Sequence, residues 1–207
     1  VGLCVPAGRI TAEKISGLAG LAEEYGDGQA RLTPQQNIIL LGVASARLPR
    51  LLAEPLLNEF TPYPHPFIRG LVTCTGTDYC NMALIDTKTI ARRVTEAMVR
   101  LFPKANATTM HWSGCPAACG SHQTADIGFL GARTLLQGKL VEAVSIFVGG
   151  RTGVSPYPGT KVMEIVPVDM LDETLPFIIS NLARLKSVAN PGGSTQQVLM
   201  IPAFAKS

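Results

Sequence analysis

Charge is scarce in this sequence. Asp, Glu, Lys and Arg make up 16% of its 207 residues, and the formal net charge is only +3. Proteins that grip nucleic acid carry a clustered basic face, so a balance this slight gives no ground for a nucleic-acid partner. Long apolar runs are also missing. None approaches the roughly 20 residues that a membrane-spanning helix requires, and no secretory signal pattern opens the sequence. With no export signal, the five cysteines are expected in a reducing compartment, as ligands rather than disulfides. What is present is 46% hydrophobic residues, enough for a substantial core in one large or two small domains. The first residue is Val1 instead of methionine, so a processed protein or a piece of a longer one is expected.

Four of the five cysteines fall in two short stretches, Cys74-Thr75-Gly76-Thr77-Asp78-Tyr79-Cys80 and Gly114-Cys115-Pro116-Ala117-Ala118-Cys119-Gly120. Thiolates are soft ligands, and four of them suit an iron–sulfur cluster or a structural zinc. Zinc sites draw each pair from a spacing of two to four residues, so the wider first pair fits zinc poorly. The common ferredoxin runs do not fit either. Spacing alone leaves a cluster, a zinc site and unrelated buried thiols open.

In chain order, Val1 to Ile10 reads as a strand. A helix follows, with Thr11 as its N-cap and Ile15, Leu18, Leu21 and Ala22 on one face; Gly26 suits a left-handed C-terminal position. Arg31 to Val43 reads as a second strand with a turn at Pro34, giving a right-handed βαβ unit. A helix over Ala46 to Leu57 is broken or bent at Pro49 and Pro55. Thr61 to Pro66, with three prolines in six residues, reads as a linker. Strands are expected at Gly70–Thr73, Thr108–Trp112, Ala125–Leu130 and Val144–Val148, with helices over Met82–Leu101 and Val168–Leu185. Past Ala189 the composition signals a flexible tail, with Val198 to Phe204 as a last apolar stretch.

The stretches Leu71 to Lys88 and Met110 to Gly131 resemble the cluster-and-sirohaem region of ferredoxin-dependent nitrite reductases, within the nitrite/sulfite reductase family. Both cysteine spacings and the flanking threonine, glycine and proline positions match. Ala30 to Leu40 resembles a second family motif, and Val148 to Gly153 a third. The resemblance implies an α+β chain: a ferredoxin-like half-domain (βαβ) over 1–62, an α/β sirohaem–[4Fe-4S] domain over 67–188, and a tail over 189–207. It implies that Cys74, Cys80, Cys115 and Cys119 hold a [4Fe-4S] cluster, with the Cys119 sulfur also axial to the sirohaem iron. A shared thiolate would couple the two groups and leave the far face of the haem open.

The implied activity is the C-terminal half of an enzyme that takes nitrite to ammonia in six electrons, with reduced ferredoxin as donor. The other half would supply the cations at the substrate and part of the sirohaem shell, so the chain alone is expected to be inactive. Sulfite reduction with the same cofactors is the alternative within the family, although Asp126-Ile127-Gly128-Phe129 is closer to the nitrite branch. A non-catalytic cluster or zinc module is the alternative outside it. A cytoplasmic location is expected, or the chloroplast stroma in a plastid-bearing organism.

The sirohaem's carboxylates call for cations and amides. On the second motif Arg31, Thr33, Gln36 and Asn37 are candidates, Arg31 as a bidentate anchor. Gln36 and Asn37 could instead serve the turn's own backbone. Gly149, Gly150 and Arg151 offer N–H groups and a guanidinium for the same purpose. His122 reads as packed or supporting rather than as a ligand, and Trp112 as packed against the cofactor or core. Cys4, Met82, Met98 and Met110 read as core fillers. Two departures stand out. Ala117 and Ala118 replace an asparagine and a small polar residue common in the family, and Asp78-Tyr79 is more polar than usual, so tuning of the centre is in doubt.

Overall fold

The computed structural model describes residues 1–189; the expected tail beyond Ala189, with the apolar stretch from Val198, falls outside them. Two sheets organise these residues. The first is three-stranded, in the order β1 (Gly2–Leu3), β3 (Ile38–Leu40), β2 (Ala30–Leu32), and every pairing is antiparallel. β1 and β2 therefore run the same way with β3 between them, which makes β1, the helix α1 (Ala12–Tyr25) and β2 a split βαβ unit. The long expected strand over Arg31–Val43 is a hairpin, because the Pro34 turn folds it back: Asn37 N donates to Thr33 Oγ1 at 3.1 Å and Thr33 N to Asn37 O at 2.9 Å.

Thr11 does cap α1, accepting from Lys14 N at 3.4 Å, and Leu18, Leu21, Ala22 and Tyr25 bury its inner face. Ile15 is exposed. Gly26 is not left-handed: its φ is −116°. A Cβ there would stand 2.2 Å from the Leu41 carbonyl oxygen, so close approach rather than handedness requires the glycine. The left-handed residue is Gly28, at φ +79°. Pro49 is tolerated in the first turn of α2 (Leu48–Leu52) and does not break it; the interruption comes at Pro55, which opens a 3-10 turn at Pro55–Asn58.

After α3 (Pro66–Arg69), the second sheet runs in the order β4 (Leu71–Thr73), β5 (Met110–Ser113), β6 (Ile127–Leu136), β7 (Lys139–Val148), β8 (Thr160–Pro167). β4, β5 and β6 are parallel, and β6 to β8 are antiparallel. Among the helices beside it, α4 (Thr87–Leu101) begins later than Met82 because Asp86 is its N-cap, accepting from Thr89 N at 3.2 Å. Residues 80–86 instead turn around the cysteines, leaving Met82 71% exposed, so it is not a core filler. The expected helix over Val168–Leu185 breaks at Asn181 into α5 (Leu171–Ser180) and α6 (Leu182–Ala189).

Each sheet has its own apolar cluster. Leu3, Leu18, Leu40, Leu51 and Phe60 centre the first, and Met98, Met110, Trp112, Phe129, Ile146 and Leu175 the second. Ala7 alone crosses over from the first sheet's segment to pack in the second cluster.

Candidate metal centre

β4 and β5 are parallel neighbours, with Thr73 opposite Trp112. Each runs straight into a cysteine loop, so both loops leave the same edge of the sheet side by side. Ligands in open parallel sheets gather outside these carboxyl ends of the strands. The loops are tied to each other. Cys74 N donates to Trp112 O at 2.9 Å, Gly114 N donates to Cys74 Sγ at 3.1 Å, and Leu84 N donates to Gly114 O at 2.8 Å. Thr87 Oγ1 donates to Cys74 O at 2.8 Å, which ties the start of α4 to the first loop.

Cys74, Cys80, Cys115 and Cys119 all line one cavity of about 420 Å³, with Gly8, Gln36 and Lys88 on its walls. All four thiols are free; the first three are half-buried and Cys119 is exposed. Among the described residues no three His, Cys, Asp or Glu stand close enough together for one metal ion. Thiolates on a tetrahedral zinc are only about 3.8 Å apart, given a Zn–S bond of about 2.3 Å. Four thiols spread around a shared cavity instead suit a polynuclear core with one thiolate on each corner.

The second loop is pinned beneath its cysteines. The buried Ser113 hydroxyl accepts from Gly120 N at 3.2 Å and lies 3.0 Å from His122 Nδ1. His122 packs against Phe147, and burial pushes its pKa below the ordinary value. It is thus a packed, supporting residue. Trp112 stacks on Phe129 with ring centroids 3.9 Å apart, so it belongs to the core. Cys4 is buried too, and burial raises its thiol pKa.

The other candidates separate. Gln36 reaches the cavity, where its amide grips both main-chain groups of Thr73: Nε2 donates to Thr73 O at 2.6 Å and Thr73 N donates to Oε1 at 3.2 Å. β4 is the edge strand of its sheet, and this amide takes the place of a neighbouring strand on the free edge. Asn37 Oδ1 accepts from Val5 N at 2.9 Å. With Thr33 it lines a separate cavity of about 250 Å³. Arg31 is exposed on β2. Gly149, Gly150 and Arg151 line neither cavity: Gly149 N donates to Asp126 O at 2.9 Å, and the Arg151 guanidinium lies 4.7 Å over the Tyr157 ring. Asp78, the polar departure in the first loop, forms an ion pair with Arg9, while Tyr79 is 86% exposed.

Sequence reasoning missed Lys88. It is only 9% exposed, and its Nζ donates to Ala7 O at 2.6 Å and to Thr73 Oγ1 at 3.1 Å. Burial lowers its pKa first, nearby Arg9 lowers it further, and Cys74 opposes them. The signal was there: Lys88 is in helical phase with Ala91, Thr95 and Met98, which are all buried.

Comparison with known proteins agrees with this geometry. The nitrite/sulfite reductase ferredoxin-like half-domain family model matches residues 1–58, and the nitrite and sulphite reductase 4Fe-4S domain model matches residues 65–183. A ferredoxin–nitrite reductase of Synechococcus elongatus is 46% identical over 84% of this chain and 34% of its own length. An assimilatory ferredoxin-dependent nitrite reductase of Haloferax mediterranei is 41% identical over 94% of this chain and 33% of its own. In structure, the NirA protein of Mycobacterium tuberculosis matches with a TM-score of 0.80 at 27% identity, over 87% of this chain and 34% of that one. The chain thus spans about a third of the length of these relatives.

Proposed function

Since the chain belongs to the nitrite/sulfite reductase family, we propose that it forms the metal-centre portion of a ferredoxin-dependent nitrite reductase that takes nitrite to ammonia. The observation that carries this reading is the convergence of four free cysteines, from two neighbouring strand ends, on one cavity. Cys74, Cys80, Cys115 and Cys119 would hold a [4Fe-4S] cluster, and Cys119, the exposed one, would also ligate sirohaem. Bound there, the cluster and sirohaem would supply single electrons and an iron able to take the anion. The chain's own residues set that environment. Gly114 N–H donates to the Cys74 sulfur, Ser113 and His122 fix the loop that presents Cys115 and Cys119, and Gln36 locks the strand that leads to Cys74.

Of the sirohaem candidates, Gln36 is best placed, since it lines the cysteine cavity. Arg31, Thr33, Asn37, Gly149, Gly150 and Arg151 remain candidates for the sirohaem carboxylates. Residues 1–62 and 67–188 form the two proposed domains, each with a sheet and an apolar cluster of its own. Reduced ferredoxin is the proposed donor.

The test is to purify the natural protein that carries this chain, record its visible spectrum, and supply reduced ferredoxin with nitrite or sulfite. Sirohaem absorption with ammonia as the faster product supports the reading. Faster sulfide production moves the protein to sulfite reduction, and a colourless zinc protein removes the redox reading.

A further inference from the structure

The cysteine cavity has a wall that its four thiols do not explain. Lysine is almost never fully buried without a paired charge, yet Lys88 is 9% exposed and its hydrogen-bond partners, Ala7 O and Thr73 Oγ1, are neutral. Among the described residues no Asp or Glu forms an ion pair with it, and the nearby charge of Arg9 has the same sign. A buried ammonium without a counter-ion is costly. The cavity it faces is lined by Cys74, Cys80, Cys115 and Cys119, whose thiolates would make any metal core they hold an anion.

We propose that the Lys88 ammonium is the built-in counter-charge of the centre held by Cys74, Cys80, Cys115 and Cys119, and that it raises the centre's reduction potential. The inference rests on the proposed cluster. Reduction adds one electron to a group already negative, and a fixed cation on the cavity wall stabilises the reduced form more than the oxidised one. Two acceptors hold the cation in place. Ala7 O comes from the first sheet's segment, and Thr73 Oγ1 from the residue that precedes Cys74. Lys88 is therefore a positioning residue that acts through the centre, not a catalytic one.

The test uses the natural protein carrying this chain, loaded with its centre, as wild type, Lys88→Gln, Lys88→Met and Lys88→Arg. Iron and sulfide are assayed first. The centre is then titrated against solution potential and followed by electron paramagnetic resonance. At the wild-type midpoint, the neutral variants are expected to show an oxidised-to-reduced ratio about tenfold higher, a shift of about 59 mV downward for a one-electron couple. Lys88→Arg keeps the charge and is expected to stay within about twofold of wild type. A purely structural tether would not make the potential follow the charge.

Neutral variants with full iron and sulfide and an unmoved potential overturn the proposal alone, as does a Lys88→Arg variant that shifts as far as Lys88→Gln. Loss of the centre from both neutral variants but not from Lys88→Arg expresses the same charge dependence in assembly and supports it. Loss from all three shows a steric role and overturns it. A wild-type protein without iron and sulfide overturns the cluster reading and this proposal together.

Discussion

The backbone N–H of Gly114 points at the sulfur of Cys74, 3.1 Å away, although the two residues lie on different loops. The contact exists because parallel β4 and β5 end together, and because residue 114 has no side chain to hold the loops apart. A Cβ there would come within 3.1 Å of Ala83 Cβ and 3.4 Å of Cys74 Sγ. Gly114→Ala is therefore expected to reduce bound iron while the fold is kept, at a cost of about 1 kcal/mol. Iron assay beside urea denaturation checks this; unchanged iron content contradicts it.

Gly120, at the other end of the loop, is far less tolerant. A Cβ there would lie 1.9 Å from the Trp112 carbonyl oxygen, which is backbone and cannot swing aside. Gly120→Ala is expected to cost about 3 kcal/mol or more. A thermal unfolding midpoint close to wild type would show that the loop yields more readily than its packing implies.

Between them, Ala118 adopts φ +60°. The left-handed region costs an L-residue roughly 1–2 kcal/mol, more than the entropy a glycine loses on folding, about 1 kcal/mol or less. Ala118→Gly is expected to raise the urea midpoint slightly. Ala117→Gly is the control, since Ala117 is not among the residues of positive φ and gains no such relief. An Ala118→Gly variant no more stable than the control would contradict the expectation.

The spacing of the cysteines was legible in the sequence, and so was the Thr11 cap, because both are local. What decides the rest is reach. Met82 follows a good helical pattern, but the Asp86 cap and the hydrogen bond from Leu84 N to Gly114 O turn residues 80–86 toward the second loop. Gly26 carried the mark of a left-handed cap, while its actual constraint is the Leu41 carbonyl fifteen residues on. Lys88 is set by Ala7, eighty-one residues away. β8 (Thr160–Pro167) was missed because Lys161, Glu164 and Pro167 interrupt its alternation, and its pairing with β7 carries register shifts.

Stability should also depend on pH through His111 and His122. Burial lowers both from an ordinary value of 6.5, although a hydrogen bond to Ser121 and nearby Asp126 partly offset this for His111. Below 6.5 the unfolded chain binds protons that the folded chain refuses, so stability is present above that value and is lost as pH falls through the lower folded values. Denaturation midpoints from pH 7 to pH 5 are expected to fall. The slope should be shallower in His122→Asn, and a slope as steep as wild type would remove His122 as a cause.

The most direct measurement counts iron and acid-labile sulfide in anaerobically prepared protein, as wild type and as Cys74→Ser, Cys80→Ser, Cys115→Ser and Cys119→Ser. The expected result is about four sulfide and about five iron per wild-type protein, four in the cluster and one in sirohaem, with sharp losses in the first three variants. Cys119→Ser is expected to disturb the sirohaem spectrum beyond its loss of iron. Zinc in place of iron, or full iron and sulfide in all four variants, would contradict the assignment of these cysteines to one [4Fe-4S] centre.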